Sequence, residues 1–175
     1  MVSSMSESHG SDDIVLIRLI EAPVQEVWNA WVDPEIFRQW WGPAGFTCEF
    51  ATIDLRPGGR FLWNMRAPES MGGFDMYTAG VIERVVPFER IEFTQGLSDE
   101  HGNPIDPALL GMPADFPTAI ASELRFHGVG AATELTAIER DWFDPGERAR
   151  SHAGLSECID KLEALLAARA RGGDA

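Results

Sequence analysis

Six apolar residues near the end of the chain, Leu155, Cys158, Ile159, Leu162, Leu165 and Leu166, recur at three- and four-residue intervals and so fall on one side of an α-helix. That helix is expected from about Pro145 to Ala168, with Asp144 as its cap and Pro145 in its first turn. A stripe of this length has to be covered, and the rest of the chain offers strands to cover it. Ile14 to Ile20 is rich in β-branched residues and short, which reads as a first strand. Phe61, Trp63 and Met65 alternate with Leu62, Asn64 and Arg66, which gives a strand with one heavily apolar face. Arg56-Pro57-Gly58-Gly59 before it is a turn, so Phe46 to Leu55 is its hairpin partner, with a bulge expected near Thr52 where the alternation slips. Phe74 to Val86 and Arg90 to Gln95 form a second hairpin about Pro87-Phe88-Glu89. Ala119 to His127 and Ala131 to Arg140 form a third about Gly128-Val129-Gly130, with Glu123, Arg125 and His127 on the solvent side.

Two short helices interrupt this β pattern after the first strand. Pro23 suits a first turn, and Val24, Val27, Trp28 and Trp31 share a helical face. Asp33-Pro34 ends that helix and opens another with Asp33 as N-cap; Ile36, Phe37, Trp40 and Trp41 are its apolar side until Gly42-Pro43 stops it. Ala67 to Gly73 is a loop. Leu97 to Pro117, which contains Leu109, Leu110, Met112 and Phe116, is long enough to be functional, and its apolar residues favour a packed flap. The order is strand, two short helices, six strands, long helix: an α+β domain with a curved antiparallel sheet of about seven strands wrapped on a long C-terminal helix.

The 175 residues suit one domain, residues 14–168, with residues 1–13 expected to be a disordered tail and 169–175 to fray. With 28 acidic residues against 14 basic ones the net charge is -14, which repels phosphate backbones and anionic lipid. Nucleic acid and membrane are therefore not expected as partners. Cys48 and Cys158 are unpaired in spacing and read as buried thiols of a reducing compartment. The acidic, Ser-rich start lacks the pattern of a signal peptide, so the expected location is the cytoplasm. A monomer or a homodimer paired through an edge strand is expected.

The segments Glu21-Ala22-Pro23, Val27-Trp28, Asp33-Pro34-Glu35, Trp40-Trp41-Gly42-Pro43, Arg56-Pro57-Gly58-Gly59-Arg60-Phe61, Gly102-Asn103-Pro104 and Gly154 to Glu163 together resemble the AHSA-type family, named for homologues of the activator of a heat-shock-protein ATPase. The family belongs to the SRPBCC, or START-like, superfamily, and the resemblance covers about Ile14 to Ala168. It implies the helix-grip fold and an enclosed cavity. Similar proteins include a calicheamicin self-resistance protein and a co-chaperone domain, so the likeness does not fix a function. Many relatives carry Trp where this chain has Leu155, which implies a differently shaped wall.

Aromatic side chains offer large contact area with few rotors, which suits an apolar ligand. The residues expected to hold one are Trp40, Trp41, Phe61, Trp63, Met65, Phe74, Tyr77, Phe93, Met112 and Phe116, with Leu155 and Ile159 from the last helix. Phe61, Trp63 and Met65 are the strongest of these. The same residues also suit an ordinary core, where each contributes about 1.5–3 kcal/mol by leaving water. Met65, Met71, Met76 and Met112 fall in or near the expected mouth and flap, where thioethers repack readily. The acids and bases available for catalysis are Asp75, Tyr77, Glu83, His101 and His152. His101 reads as a solvated loop residue and His152 as a helix-boundary residue. No catalytic residue, metal ligand set or cofactor is assigned, because no nucleophile motif, phosphate loop or helical His pair is present. The expected function is a binding protein for a small hydrophobic or aromatic ligand gated by Leu97 to Pro117. An enzyme of cyclase or hydrolase type in the same cavity is the first alternative, and a co-chaperone-like regulator of a heat-shock ATPase the second.

Overall fold

The fold was determined as a computed structural model and is described for residues 9–173; the expected behaviour of residues 1–8 and 174–175 lies outside them. Seven strands, β1 (Ile14–Ile20), β2 (Ala51–Ile53), β3 (Arg60–Arg66), β4 (Asp75–Val86), β5 (Arg90–Ser98), β6 (Ile120–Val129) and β7 (Ala132–Glu139), form one curved antiparallel sheet in the order β1-β7-β6-β5-β4-β3-β2. Two small helices, α1 (Val24–Val32) and α2 (Pro34–Phe37), follow β1, and α3 (Pro145–Gly172) closes the chain. This is the helix-grip arrangement.

Cross-strand partners share a face, so the register sorts every strand residue into one of two sides. The inner side carries Leu16 and Ile20 of β1, Phe61 and Trp63 of β3, Ile82 of β4, Ile91 and Phe93 of β5, Leu124 and Phe126 of β6 and Leu135 and Ala137 of β7. Most of these are buried, and with α1, α2 and α3 they form one hydrophobic core. Along α3 the expected stripe is in place: Leu155, Cys158, Ile159, Leu162 and Leu166 are buried, and Leu165 half-buried. Its start is held by Asp144, whose side chain accepts from the Glu147 N–H at 2.7 Å. The helix continues to Gly172, four residues past the expected end, with Arg169 and Arg171 in its last turn where the helix dipole favours cations.

Several elements differ from the expectation. Asp12 and Asp13, assigned to the loose tail, are anchored: the Asp12 carbonyl accepts from Trp142 N–H at 2.7 Å, and the Asp13 carboxylate accepts from Asp141 N–H at 3.1 Å. The α2 helix ends at Phe37, so Trp40 and Trp41 stand beyond it; Trp40 is nevertheless fully buried, and its indole N–H donates to the Ala30 carbonyl at 2.9 Å. The bulge lies between Thr47 and Ala51, not at Thr52, which pairs regularly with Leu62. Thr47 faces Arg66 and Ala51 faces Trp63, four steps on one strand against three on the other. Buried Asn64 holds it there, its Oδ1 accepting from both Glu49 and Phe50 N–H at 2.9 Å and its Nδ2 donating to Asp75 Oδ1 at 3.0 Å. Glu123 does not face open solvent. It is 4% exposed, with Arg90, Arg125 and Arg140 around its carboxylate at 2.8, 2.5 and 3.3 Å. Burial acts to raise its pKa, and the three guanidinium groups outweigh that and hold it below the usual value.

Leu97 to Pro117 is less free than its length implied. β5 runs on to Ser98, and Ser98 pairs with Pro104 across a turn organised by the Asp99 carboxylate, which accepts from His101 and Asn103 N–H at 2.9 Å each. A 3-10 turn, Pro107–Leu110, follows; it buries Pro107 but leaves Leu109 79% exposed. Among the described residues no helix is long and apolar enough to cross a membrane.

Replacing Asn64 by Leu keeps the volume but strips two backbone donors and Asp75 of their partner, so urea unfolding should show a loss of about 3 kcal/mol. An unchanged midpoint would mean that Asn64 does not hold the bulge.

Candidate functional site

The inner side of the sheet and the two small helices enclose an apolar cleft. Its floor is Phe61 and Trp63 on β3, Ile82 on β4, Ile91 and Phe93 on β5 and Leu124 on β6; Ile53 and Leu55 form one flank, and Trp31, Val32 and Phe37 form the roof. Every lining residue is apolar, and the free volume is about 30 Å³, far less than a cyclic organic molecule occupies. Aromatic rings close it. Phe61 stacks on Trp63 with centroids 4.4 Å apart and meets Phe93 edge-on at 5.6 Å. Gly80 lies beneath Phe61, where a Cβ would stand 2.5 Å from the ring and 1.9 Å from the Thr94 carbonyl oxygen; only glycine leaves room for the ring.

The roof is built on Phe37, whose ring lies 4.8 Å from Trp63, 5.0 Å from Trp41, 5.3 Å from Trp40 and 6.4 Å from Trp31. α3 fastens it from behind. Lys161 Nζ donates to the Gly42 and Phe46 carbonyls at 2.9 Å each, and the Glu157 carboxylate accepts from Ala44 N–H at 2.7 Å. Burial lowers the Lys161 pKa from its ordinary value. Burial pushes the nearby thiols the other way, Cys48 upward and Cys158 up to about 12, so both are protonated and inert at neutral pH.

Of the residues expected to hold a ligand, Phe61, Trp63 and Phe93 meet on the cleft. Trp40 and Trp41 support its roof without lining it, and Met65 lies farther along the β3 inner face, opposite Met76. The others lie elsewhere. Tyr77 pairs with Asn64 and Ser98, which puts it on the outer side, and Phe74 is 46% exposed just before β4. Leu155 and Ile159 are buried in the core on α3, which packs on β1 and α1 and not over the cleft. Met112 and Phe116 of the long loop do not reach it either; Phe116 rests edge-on against Trp142 at 5.4 Å. The long loop therefore does not gate this cleft. Eight of the eleven lining residues, Trp31, Val32, Phe37, Ile53, Leu55, Ile82, Ile91 and Leu124, were not expected there, because α1 and α2 read as ordinary amphipathic core, the bulge obscured β2, and aliphatic strand residues look alike in a core and in a cleft wall.

The acids and bases first considered all point away from the cleft. Asp75 pairs with Arg66 at 3.0 Å on the outer side, Glu83 is exposed and accepts from Thr94 Oγ1, and His101 and His152 are exposed. A different carboxyl, without any local signature, lies on the inner side. Glu139 shares the inner row Ile82–Phe93–Ser122–Glu139. Although the residue as a whole is half-buried, its carboxyl is enclosed, accepting from Gln95 Nε2 at 3.3 Å and from Trp142 Nε1 at 3.1 Å. Gln95 also donates to Ser122 Oγ at 3.0 Å. Burial with only neutral donors drives its pKa up to about 7. A larger hollow of about 170 Å³ lies on the outer side among Glu83, Arg90, Glu92, Glu123 and Arg140, where ion pairs make a poor lining for an apolar guest. Among the described residues no three metal-ligating side chains cluster.

The family model described as "Activator of Hsp90 ATPase homolog 1-like protein" matches residues 21–167. No curated protein matches. Solved structures of similar proteins share the fold. A Nitrosomonas europaea protein is 25% identical, with 91% of this chain and 96% of that chain covered and a TM-score of 0.70. A Mycobacterium smegmatis protein is 23% identical, with 91% and 94% covered and a TM-score of 0.71. A Silicibacter pomeroyi protein titled AHSA1 is 21% identical, with 90% and 99% covered and a TM-score of 0.70.

Between the ordinary carboxyl value of 4.5 and about 7 the folded chain binds a proton at Glu139 that the unfolded chain does not. Stability should therefore fall as pH rises through that window, by up to about 1.4 kcal/mol per pH unit from this group, and level off above it. Urea titrations at several pH values should show Glu139→Gln losing that slope; parallel curves for the two proteins would refute the assignment.

Proposed function

This chain belongs to the family named for the activator of the Hsp90 ATPase, and on that premise we propose that it is a binding protein that holds a small apolar, aromatic molecule between its small helices and the inner face of its sheet. The observation that carries this is the cleft wall, which offers eleven apolar residues and no charge. A wall of that kind rejects ions and strongly hydrated solutes, because nothing in it replaces their water. It rewards flat hydrocarbon surface, which gains both area burial and ring contacts.

The free volume of about 30 Å³ is too small for such a molecule, so a guest has to part the roof from the floor. The roof suits that movement: α2 has only four residues, and its hold on the sheet is made of side-chain contacts, not backbone pairing. Part of the binding energy is spent on opening, which lowers the apparent affinity by the fraction of open protein. The ligand, rather than the long loop, then determines how far the cleft opens.

Glu139 favours a second function, acid–base chemistry on a bound guest. It lies one strand beyond Ser122 on the row that includes Phe93, and a pKa of about 7 suits a group that both takes and gives a proton. The carboxyl is enclosed by Gln95 and Trp142, and a guest would have to displace one of them to reach it.

Thermal denaturation against a panel of neutral bicyclic and tricyclic aromatics tests the binding function. A guest at 100 times its Kd should raise Tm by roughly 5–10 °C. Ile53→Trp, on an edge strand at the cleft flank, should fill the space and abolish the shift while the protein remains folded. No shift for any guest, or an undiminished shift in the filled variant, would place binding elsewhere or nowhere.

A further inference from the structure

The chain has six tryptophans. Trp40 and Trp142 are buried, and their indole N–H groups find partners at 2.9 and 3.1 Å. The indole N–H groups of Trp31, Trp41 and Trp63 are buried as well, and among the described residues none has a hydrogen-bond acceptor. Trp31 and Trp63 are 7% and 6% exposed, and both line the cleft. Trp41 sits between them, with ring centroids 5.9 Å from Trp31 and 5.6 Å from Trp63. Three unpaired donors are thus gathered within one ring-to-ring cluster.

A donor buried without an acceptor is costly, and folded proteins leave few of them. The edge-on arrangement of these rings lets an N–H face a neighbouring π cloud, which recovers only part of a full bond. The cleft wall has no side-chain acceptor to offer. Water does not resolve the shortage. Its own hydrogens meet an apolar wall, where they find no acceptor. An anionic acceptor is excluded by the same wall, which holds no cation to pair with it. A neutral carbonyl oxygen fits: it has two lone pairs, no proton to place, and an aromatic frame to fill the apolar part.

We infer that the guest of this cleft is an aromatic ketone or quinone-like molecule, a flat hydrocarbon frame whose carbonyl oxygen accepts from the indole N–H groups of the two lining tryptophans, Trp31 and Trp63. This rests on the cleft being a ligand site and adds the chemical class that it selects.

The test compares 1-indanone with indane, two bicyclic probes of nearly the same shape that differ by one carbonyl, on the full chain with uniform ¹⁵N labelling. The six indole N–H signals are assigned by through-bond correlation. Expected is binding of 1-indanone about tenfold tighter than indane, the order of one or two net hydrogen bonds, with downfield movement of the indole protons of Trp31 and Trp63 and none at Trp40 or Trp142. Trp63→Phe, which keeps a ring on the cleft floor but removes one donor, should lose most of the preference for the ketone over indane. If that variant does not fold, the shifts in the unaltered protein decide alone. Equal affinity for the two probes, or tighter ketone binding with the indole protons unmoved, overturns the acceptor role and leaves the apolar cleft standing. Binding of neither probe overturns the ligand site and the inference with it.

Discussion

The ring of Phe37 joins the two halves of this protein. It has no exposed surface and touches the rings of Trp31, Trp40 and Trp41 on the helical side and of Trp63 on the sheet. Among the described residues no backbone hydrogen bond pairs α1 or α2 with a strand, so their position over the sheet depends on this packing of rings. Such contacts add about 0.5–1.5 kcal/mol per pair beyond the area they bury. They are also less directional than a β ladder.

The fold was legible because its periods are simple. The stripe on α3, the alternation of Phe61, Trp63 and Met65, and the Asp33 and Asp144 caps each follow from local geometry and all appear in the structure. What was not legible depends on register across distant strands. Tyr77 and Phe93 look alike in sequence, yet pairing puts Tyr77 with Asn64 on the outer side and Phe93 with Ile82 on the inner. The bulge was misplaced because its cause, Asn64, stands on the partner strand. Glu139 was invisible for the same reason: its enclosure depends on Gln95 two strands away and on Trp142 past the end of its own strand.

The cleft is defined as much by what keeps charge out as by what lines it. Ionised groups are abundant in this acidic chain, and the sheet directs most of them outward, where Arg90, Arg125 and Arg140 gather around Glu123. On the inner side Gln95, Ser122 and Glu139 are bonded to one another, and Arg18 is paired with Asp160 and Glu163 of α3, away from the cleft. That separation gives one face of a single sheet a solvated, ionic character and the other a dry interior.

Lys161 links the cleft to a helix that forms none of its wall. Its ammonium holds the carbonyls at both ends of the Gly42–Phe46 segment, directly after the tandem tryptophans. An outward movement of the aromatic cover would have to stretch or break both of these bonds to the terminal helix.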